Sequence, residues 1–276
     1  TAAAVLVMVF CFALFCGCTG GESTPSVEEK DQALKTLASL KAGVSSSLSE
    51  TLALAEKTSG YLAEAGNNMT EAEAILGDSQ ESLPWIKSAA FIGPDGVVLA
   101  IMPESFGALD GVDLSYQDIV KEGLEKQSPV ISGFEKLAIN ETGVVLEHPV
   151  FAEEGNFSGL LSFVIDPAKM IEFVIGENKP DRYQVMAIQP DGLILYDADA
   201  GEIGNETFGN PAYERYPGLI TAAGAVSSSP SGTVSYNFTA TESDREVLKT
   251  AYWDTVELLD KEWRLVVIDE FSVFIP

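Results

Sequence analysis

The sequence is poor in basic residues, in histidine and in cysteine, and each scarcity excludes a class of function. Only 16 lysines and arginines stand against 42 aspartates and glutamates, so the formal net charge is −26. A surface this negative repels phosphate backbones, which excludes nucleic acid as a partner. The three cysteines all lie within the first eighteen residues. Disulfides therefore cannot cross-link the rest of the chain.

Motifs for catalysis and for cofactors are also missing. The sequence has no Gly-X-Ser-X-Gly turn, no Walker or dinucleotide-binding glycine pattern, and no metal-site spacing of His and Cys beyond the N-terminal segment. Asp197-X-Asp199-X-Gly201-Glu202 has too few ligand positions for a calcium loop and is interpreted as a solvated acidic turn. Nothing singles out a carboxylate pair for glycoside hydrolysis. We therefore expect no enzyme activity, no metal and no cofactor.

Residues 1–18 are predicted to be a signal peptide. The apolar run from Ala2 to Gly17 has the length of a signal-peptide core rather than of a membrane-spanning helix of about 20 residues. Its end resembles the lipobox of prokaryotic lipoproteins, in which a cysteine after a small residue is lipidated; Gly17 and Cys18 match these positions. A lipid anchor at Cys18 is favoured over the alternative, a short uncleaved helix. Either anchor places the body outside the cytoplasm, on the outer face of the membrane, behind a polar tether over residues 19–26.

Five Asn-X-Ser/Thr sequons agree with export, because exported chains meet the N-glycosylation machinery. The five acceptor positions are Asn68, Asn140, Asn156, Asn205 and Asn237. The alternative is chance, since turns favour asparagine and threonine for structural reasons.

Residues 27–83 are predicted to be helical. Apolar residues recur every three or four positions from Leu34 to Ala55, which predicts one long helix from Val27 to about Ala65 with a narrow apolar stripe. A stripe this narrow indicates that the helix covers a sheet edge or meets a partner helix. A second, shorter helix is predicted over Thr70–Leu76.

A nine-residue pattern occurs twice in the remainder of the chain. Phe91–Leu99 and Ala187–Leu195 each consist of an apolar run, a Pro-Asp-Gly turn and a second apolar run. Proline presets one turn angle, aspartate bonds back to the backbone, and glycine takes the positive φ that closes a hairpin. Two copies a domain-length apart predict a duplicated module, over residues 84–178 and 179–276. A long helix followed by two antiparallel sheets is an α+β architecture.

With this order of elements the chain resembles the double Cache family, extracytoplasmic PAS-like sensor domains with a long N-terminal helix and two stacked modules. Both Pro-Asp-Gly hairpins, the segment Ala198–Gly204 and the stretch from His148 to Asp166 match family elements in order and spacing. The resemblance implies two PAS-like modules with antiparallel sheets. It also implies a small organic ligand in the membrane-distal module, which is the first one here.

The amino-acid-binding branch of that family grips the ligand carboxylate with an Arg-X-Trp-Tyr element. Asp113-Leu114-Ser115-Tyr116 occupies the equivalent place; Tyr116 matches, whereas Asp113 and Ser115 replace the arginine and the tryptophan. Asp166 matches an aspartate that meets the ligand amine in that branch. Because arginine supplies the bidentate fork for a carboxylate, a standard α-amino acid is not the expected ligand.

Six residues of the first module are therefore candidate ligand contacts, and several have a structural alternative. Tyr116 is equally a core tyrosine, and Asp166 suits the N-cap of a helix that begins at Pro167. A lone histidine on a strand, such as His148, is more often a structural residue than a ligand contact. The full set is Tyr116, Asp166, Asp113, Ser132, Phe134 and His148.

These observations favour a lipid-anchored sensor that binds a small organic molecule in its first module. No apolar run long enough to span a membrane follows the N-terminal segment, so we expect a transmembrane receptor or transporter to act as the membrane partner that reads occupancy. The alternative is a structural or interaction protein of the cell envelope that keeps the fold without a ligand, as the departures at Asp113 and Ser115 suggest. An envelope hydrolase is a third, weaker candidate.

Overall fold

The computed structural model describes residues 26–138, 141–152, 155–180, 182–239 and 246–272. The predicted signal peptide and Cys18 lie outside these residues. Helix α1 (Val27–Ala65) starts at a capping box. The Ser26 hydroxyl accepts a hydrogen bond from the Glu29 amide at 3.2 Å, and the Glu29 carboxylate accepts one from the Ser26 amide at 2.9 Å. These reciprocal bonds satisfy two backbone donors and fix where the helix begins.

Two modules with the same order of elements follow helix α2 (Met69–Ser82), which is longer than predicted. The first module comprises β1 (Ile86–Ile92), β2 (Val98–Met102), α3 (Asp118–Lys126), β3 (Val130–Lys136), β4 (Thr142–Phe151), β5 (Phe157–Ile165) and α4 (Pro167–Asn178). The second module comprises β6 (Gln184–Ile188), β7 (Ile194–Tyr196), α5 (Pro217–Ser228), β8 (Gly232–Thr239), β9 (Glu246–Leu258) and β10 (Lys261–Ser272).

The two sheets have identical topology. Each contains five antiparallel strands, in the order β2-β1-β5-β4-β3 in the first module and β7-β6-β10-β9-β8 in the second. The first two strands of each module form the hairpin, and the last strand occupies the centre of the sheet. The prediction of an α+β fold with two like-built sheet modules is therefore confirmed.

The two Pro-Asp-Gly turns have the same geometry in the two modules. Gly96 and Gly192 adopt positive φ values of 86° and 94°. Asp95 accepts a hydrogen bond from the Val97 amide at 3.2 Å, and Asp191 accepts one from the Leu193 amide at 3.1 Å. This is the chemistry that the sequence predicts for the turn, since aspartate bonds back to the backbone while glycine takes a conformation that side chains disfavour.

Helix α1 packs across the inner faces of both sheets, whereas the sequence predicted that it covers a sheet edge or meets a partner helix. It contacts β4 and β5 in the first module and β9 and β10 in the second, and β5 and β10 are the central strands. The helix also contacts α2 and α4. Its buried side is broader than the apolar stripe, because Ser47, Thr51, Thr58 and Ser59 are buried too, whereas Leu34 is 39% exposed.

The outer face of each sheet is covered by a separate helix. Helix α3 packs on the outer face of the first sheet, where it buries Ile119 and Val120 with residues of β1, β2 and β4. Helix α5 covers the outer face of the second sheet and buries Ala222 and Val226. Each sheet therefore lies between helices on both faces.

Candidate ligand-binding site

The second module contains a partly open cavity of about 350 Å³ between the outer face of its sheet and α5. Pockets for small organic molecules typically start at about 300 Å³. The floor is apolar and comes from alternate positions of the strands, since every second side chain of a strand points to the same face. The apolar and aromatic lining residues include Met186, Ile188, Ile194, Tyr236, Ala251, Val266 and Ile268 from the sheet and Leu219, Ala222, Ala223 and Val226 from α5.

Carboxylates lie at one end of this cavity, in the segment that follows β7. Asp197, Asp199 and Glu202 all line it. Asp197 is partly buried, and its carboxylate accepts a hydrogen bond from the Asp199 amide at 2.9 Å. Burial raises the pKa of Asp197, and the negative charges of Glu202 and Asp199 add to the shift. Glu202 accepts hydrogen bonds from the hydroxyl of Tyr213 and from the side-chain amide of Asn205.

The two basic side chains at this cavity are held at aromatic rings. The Arg215 guanidinium lies 4.8 Å from the ring centroid of Tyr216, and the Lys249 ammonium lies 4.6 Å from that of Phe238. These two rings stack on each other with centroids 4.9 Å apart. Each cation thus faces one ring of a stacked aromatic pair, an arrangement that stabilises the positive charges.

The first module encloses a much smaller space, of about 50 Å³, between its sheet and α3. Gly123 accounts for part of the difference. A Cβ at this position would lie 2.9 Å from a methyl carbon of Leu160 and 3.3 Å from Cβ of Glu147, so its absence allows α3 to approach the sheet closely. In the second module, alanines of α5 line the wider space.

Glu147 is the unusual residue of the smaller cavity. It is completely buried, one carboxylate oxygen accepts a hydrogen bond from the Ser162 hydroxyl at 2.9 Å, and the other has no partner in the described part of the chain. Desolvation raises the pKa of Glu147 to about 8. Sequence reasoning missed this residue. The available signal was a lone acidic residue inside the apolar run Val144–Phe151.

Three of the predicted contacts lie near the surface of the first module. Tyr116 is 71% exposed, so the core-tyrosine alternative is wrong for this residue. Asp113 is exposed and accepts a hydrogen bond from the Ser115 amide. The side chain of Ser115, followed by this backbone hydrogen bond, lowers the pKa of Asp113. Asp166 is the N-cap of α4, since its carboxylate accepts from the Lys169 amide at 3.2 Å.

The other three predicted contacts make hydrogen bonds within the fold. The Ser132 hydroxyl donates to the Gly133 carbonyl and accepts from the Val145 amide. Phe134 lies at the junction of the modules, where its amide donates to the Gln189 side chain at 2.8 Å. His148 lies on the inner side of the sheet, with Nδ1 2.8 Å from the Ser59 hydroxyl of α1.

None of the six predicted contacts lines either cavity. The structure does not bring them together, and each remains only a prediction as a ligand contact. Residues of the second-module cavity were not predicted. The signal in the sequence was the spacing of Asp197, Asp199 and Glu202 after a strand, which was interpreted as a solvated turn.

The predicted modification sites have varied surroundings. Asn237 is exposed on β8, whereas Asn68 caps α2 and the Asn205 side chain donates to the Gly201 carbonyl. Asn156 is exposed, and Asn140 lies outside the described residues. Glycosylation at all five positions remains a prediction.

The described residues contain neither a membrane-spanning helix nor a metal-binding cluster. In this part of the chain, no helix combines the length and the apolar character needed to cross a bilayer. The same residues contain no group of three or more His, Cys, Asp or Glu side chains arranged to hold a metal ion.

Residues 46–167 match the family model described as "HK/GC/Chemotaxis protein-like, sensor domain". Among solved structures, the chain resembles an extracellular ligand binding receptor from Desulfohalobium retbaense, with 22% identity and a TM-score of 0.64 over 89% of this chain and 41% of that one. This chain thus spans less than half of that receptor. The chain has a double Cache fold.

Two further neighbours match over most of both chains. The periplasmic sensory domain of the Campylobacter jejuni chemoreceptor Tlp1 shows 15% identity and a TM-score of 0.57 over 90% of this chain and 94% of that one. The ligand-binding domain of the Pseudomonas fluorescens chemoreceptor CtaA, in complex with L-alanine, shows 13% identity and a TM-score of 0.60 over 89% and 99%. No curated protein matches the chain in sequence.

Proposed function

We propose that this protein is an extracytoplasmic sensor that binds a small organic molecule in the cavity of its second module. The observation that carries the proposal is the cavity of about 350 Å³, with an apolar floor and carboxylates at one end. A few convergent polar groups in an apolar pocket are typical of small-molecule sites. The match of residues 46–167 to a sensor-domain model supports the same class of function.

The first module is the less favourable place for the ligand. Its cavity of about 50 Å³ holds little more than one or two water molecules, since a water occupies about 30 Å³ of liquid. A ligand there would have to move α3 away from the sheet, against the close contact at Gly123. Binding in the first module, which the sequence led us to expect, is therefore the alternative that the experiment below also tests.

The proposal includes a lipid anchor at Cys18 and a transmembrane receptor or transporter that reads occupancy. The support for the anchor is the lipobox-like end of the apolar segment at Gly17 and Cys18. If the anchor is a lipid, Cys18→Ser moves the protein from the membrane fraction to the soluble fraction. Retention of the variant in the membrane would contradict lipidation and support an uncleaved helix.

Filling the cavity tests the binding function. Ala222 is buried on α5 and lines the cavity, so Ala222→Phe should occupy the space that a ligand needs. We expect at least one member of a broad panel of metabolites to raise the melting temperature of the wild-type protein by mass action. The same compound should leave the melting temperature of Ala222→Phe unchanged, as measured by thermal shift and confirmed by calorimetric titration.

The matched control is Thr221→Leu, which enlarges an exposed neighbouring residue of the same helix. It should respond to the compound like the wild type. An equal response in Ala222→Phe would place the ligand elsewhere and contradict the second-module site. Silence of the wild type across the whole panel would reject the sensor function and favour an envelope interaction protein that keeps the fold without a ligand.

A further inference from the structure

The polar end of the second-module cavity combines a carboxylate with two buried tyrosines. Asp197, Tyr213 and Tyr236 all line the cavity. Burial raises the pKa of both tyrosines to about 12, and the negative charge of Asp197 adds to the shift at each ring. The three side chains thus face the same cavity, and the Asp197 charge acts in the same direction on both tyrosines. Together they form an electron-rich corner next to the apolar floor of the cavity.

No described side chain forms a salt bridge with Asp197, and the attraction of the Lys249 ammonium lowers the pKa of Asp197 less than the charge of either Glu202 or Asp199 raises it. The hydrogen bond to Asp197 comes from a neutral backbone amide, and the nearest charged groups include Glu202 and Asp199, which are also acidic. A partly buried carboxylate in such surroundings is costly, because burial and like charges both disfavour its ionised form. A bound cation would remove this cost.

The two basic residues of the cavity are occupied by other groups. The Lys249 ammonium donates to the Gln184 side chain at 3.0 Å and lies 3.5 Å from the Glu270 carboxylate. Arg215 is exposed, and its guanidinium lies over the Tyr216 ring. Lys249 has no bidentate fork and is paired with Glu270, and the three carboxylates that line the cavity outnumber its two described cations, so the charge of the lining favours a cationic ligand over an anion.

We propose that the ligand is an organic cation, an amine or a quaternary ammonium without a carboxylate, whose charged end lies at Asp197 beside Tyr213 and Tyr236. Its apolar part would pack between the strand floor and Ala222 of α5. The inference rests on the proposed function, since it requires a ligand in this cavity. The recognition chemistry is a carboxylate combined with aromatic rings, which attract a desolvated cation through their electron-rich faces.

Compounds of matched shape and different charge test the inference by calorimetric titration at neutral pH. One set comprises phenethylamine, its neutral analogue phenylethanol, the zwitterion phenylalanine and the anion phenylpropanoate. A second pair comprises choline and its neutral isostere dimethylbutanol. In each set we expect the cation to bind wild-type protein at least about tenfold more tightly than its neutral, zwitterionic or anionic analogue, from the carboxylate and the aromatic rings together.

Asp197→Asn removes the charge and keeps an oxygen that can accept from the Asp199 amide, so the fold is retained. This variant should lose the preference for the cation over its neutral analogue. The matched control is Asp191→Asn, since Asp191 accepts a similar hydrogen bond from the Leu193 amide in the exposed hairpin turn. It should keep the wild-type preference.

The outcomes separate this inference from the proposed function. If the zwitterion, the anion or a neutral compound binds more tightly than the cation, and Ala222→Phe abolishes this binding, the ligand is not a cation. The second-module cavity would then still be the binding site of the proposed sensor. Cation binding that survives in Ala222→Phe, or an unchanged preference in Asp197→Asn, would also overturn the inference. If no compound of these sets or of the metabolite panel binds, both the inference and the proposed function fail.

Discussion

At the scale of single residues, Glu147 is a carboxyl group enclosed between β4 and α3. Its side chain is fully buried, and the Ser162 hydroxyl is its hydrogen-bond donor. Burial alone accounts for the rise of the pKa of Glu147 from 4.5 to about 8, since the Ser162 hydrogen bond acts in the opposite direction. The group is therefore protonated in the folded protein near neutral pH, whereas it is ionised in the unfolded chain.

This difference predicts how stability depends on pH. Because folding raises the pKa of Glu147, the folded state holds a proton that the unfolded chain releases. The contribution of Glu147 to the free energy of unfolding is therefore complete below pH 4.5 and is lost as the pH rises towards 8. Glu147→Gln keeps the acceptor for Ser162 and cannot ionise. Between pH 5 and 8, the free energy of unfolding of the variant should rise relative to the wild type by up to about 4 kcal/mol, as measured by urea denaturation.

The control for this prediction is Glu135→Gln, which removes one negative charge from an exposed position on the neighbouring strand β3. A surface change of this kind should alter the free energy of unfolding by less than about 0.5 kcal/mol across the range. If Glu147→Gln and the wild type keep a constant difference in stability from pH 5 to pH 8, then Glu147 does not titrate in this window and its proposed protonation is wrong.

At the scale of elements, hydroxyl groups on the buried side of α1 connect the helix to the first module. The Trp85 indole N–H donates to the Thr51 hydroxyl at 2.9 Å, and Thr51 in turn donates to the Ser47 carbonyl of its own helix. Thr51 and Trp85 are both buried. Thr51→Val keeps the shape of the side chain and leaves the indole N–H without an acceptor. Chemical denaturation should show a loss of stability of about 1–3 kcal/mol.

Thr36→Val is the matched control in the same helix. The Thr36 hydroxyl donates to the Gln32 carbonyl four residues earlier, as Thr51 does to Ser47, but at a more exposed position. Its replacement should cost less than about 0.5 kcal/mol. Equal losses in the two variants would show that the helix-internal bond matters and that the bond to Trp85 does not.

Helix α1 also shows why the sequence predicted the positions of helices and hairpins better than it predicted the contacts between them. Helix bounds and hairpins depend on local chemistry, such as the capping box at Ser26 and the glycines of the two turns, which can be identified in the sequence. The buried side of α1 could not be predicted, because Ser47 and Thr51 have the composition of a solvated face. Their hydroxyls bond within the helix or to Trp85, so burial leaves them satisfied.

The position of the candidate site could not be predicted for a related reason. The duplicated sequence predicts two equivalent spaces beneath two outer helices. Their volumes depend on how far each helix stands from its sheet. Gly123 permits a close approach in the first module, whereas Ala222 and Ala223 line a wider gap in the second. Neither glycine nor alanine in a helix indicates by itself what it faces.

At the scale of the whole molecule, one set of buried side chains joins both modules through α1. It includes Leu161 and Phe163 of the first sheet, Leu40 and Leu48 of α1, and Leu265 of the second sheet. The modules also meet directly where the Phe134 amide donates to Gln189. A shared core of this kind predicts that the two modules unfold together. It also gives a route by which a ligand in the second module would act on α1.

Leu265→Ala tests this coupling from within the second module. The side chain is 1% exposed on the central strand β10, so its truncation should cost about 2–5 kcal/mol. If the modules unfold as one unit, native-state hydrogen exchange should show the same loss of opening free energy for amides of β4 as for those of β9. Leu99→Ala, at a position 42% exposed, should shift neither set by more than about 0.5 kcal/mol. A loss confined to β9 would show that each module opens by itself, and occupancy of the second module would then have no path through the core to the first.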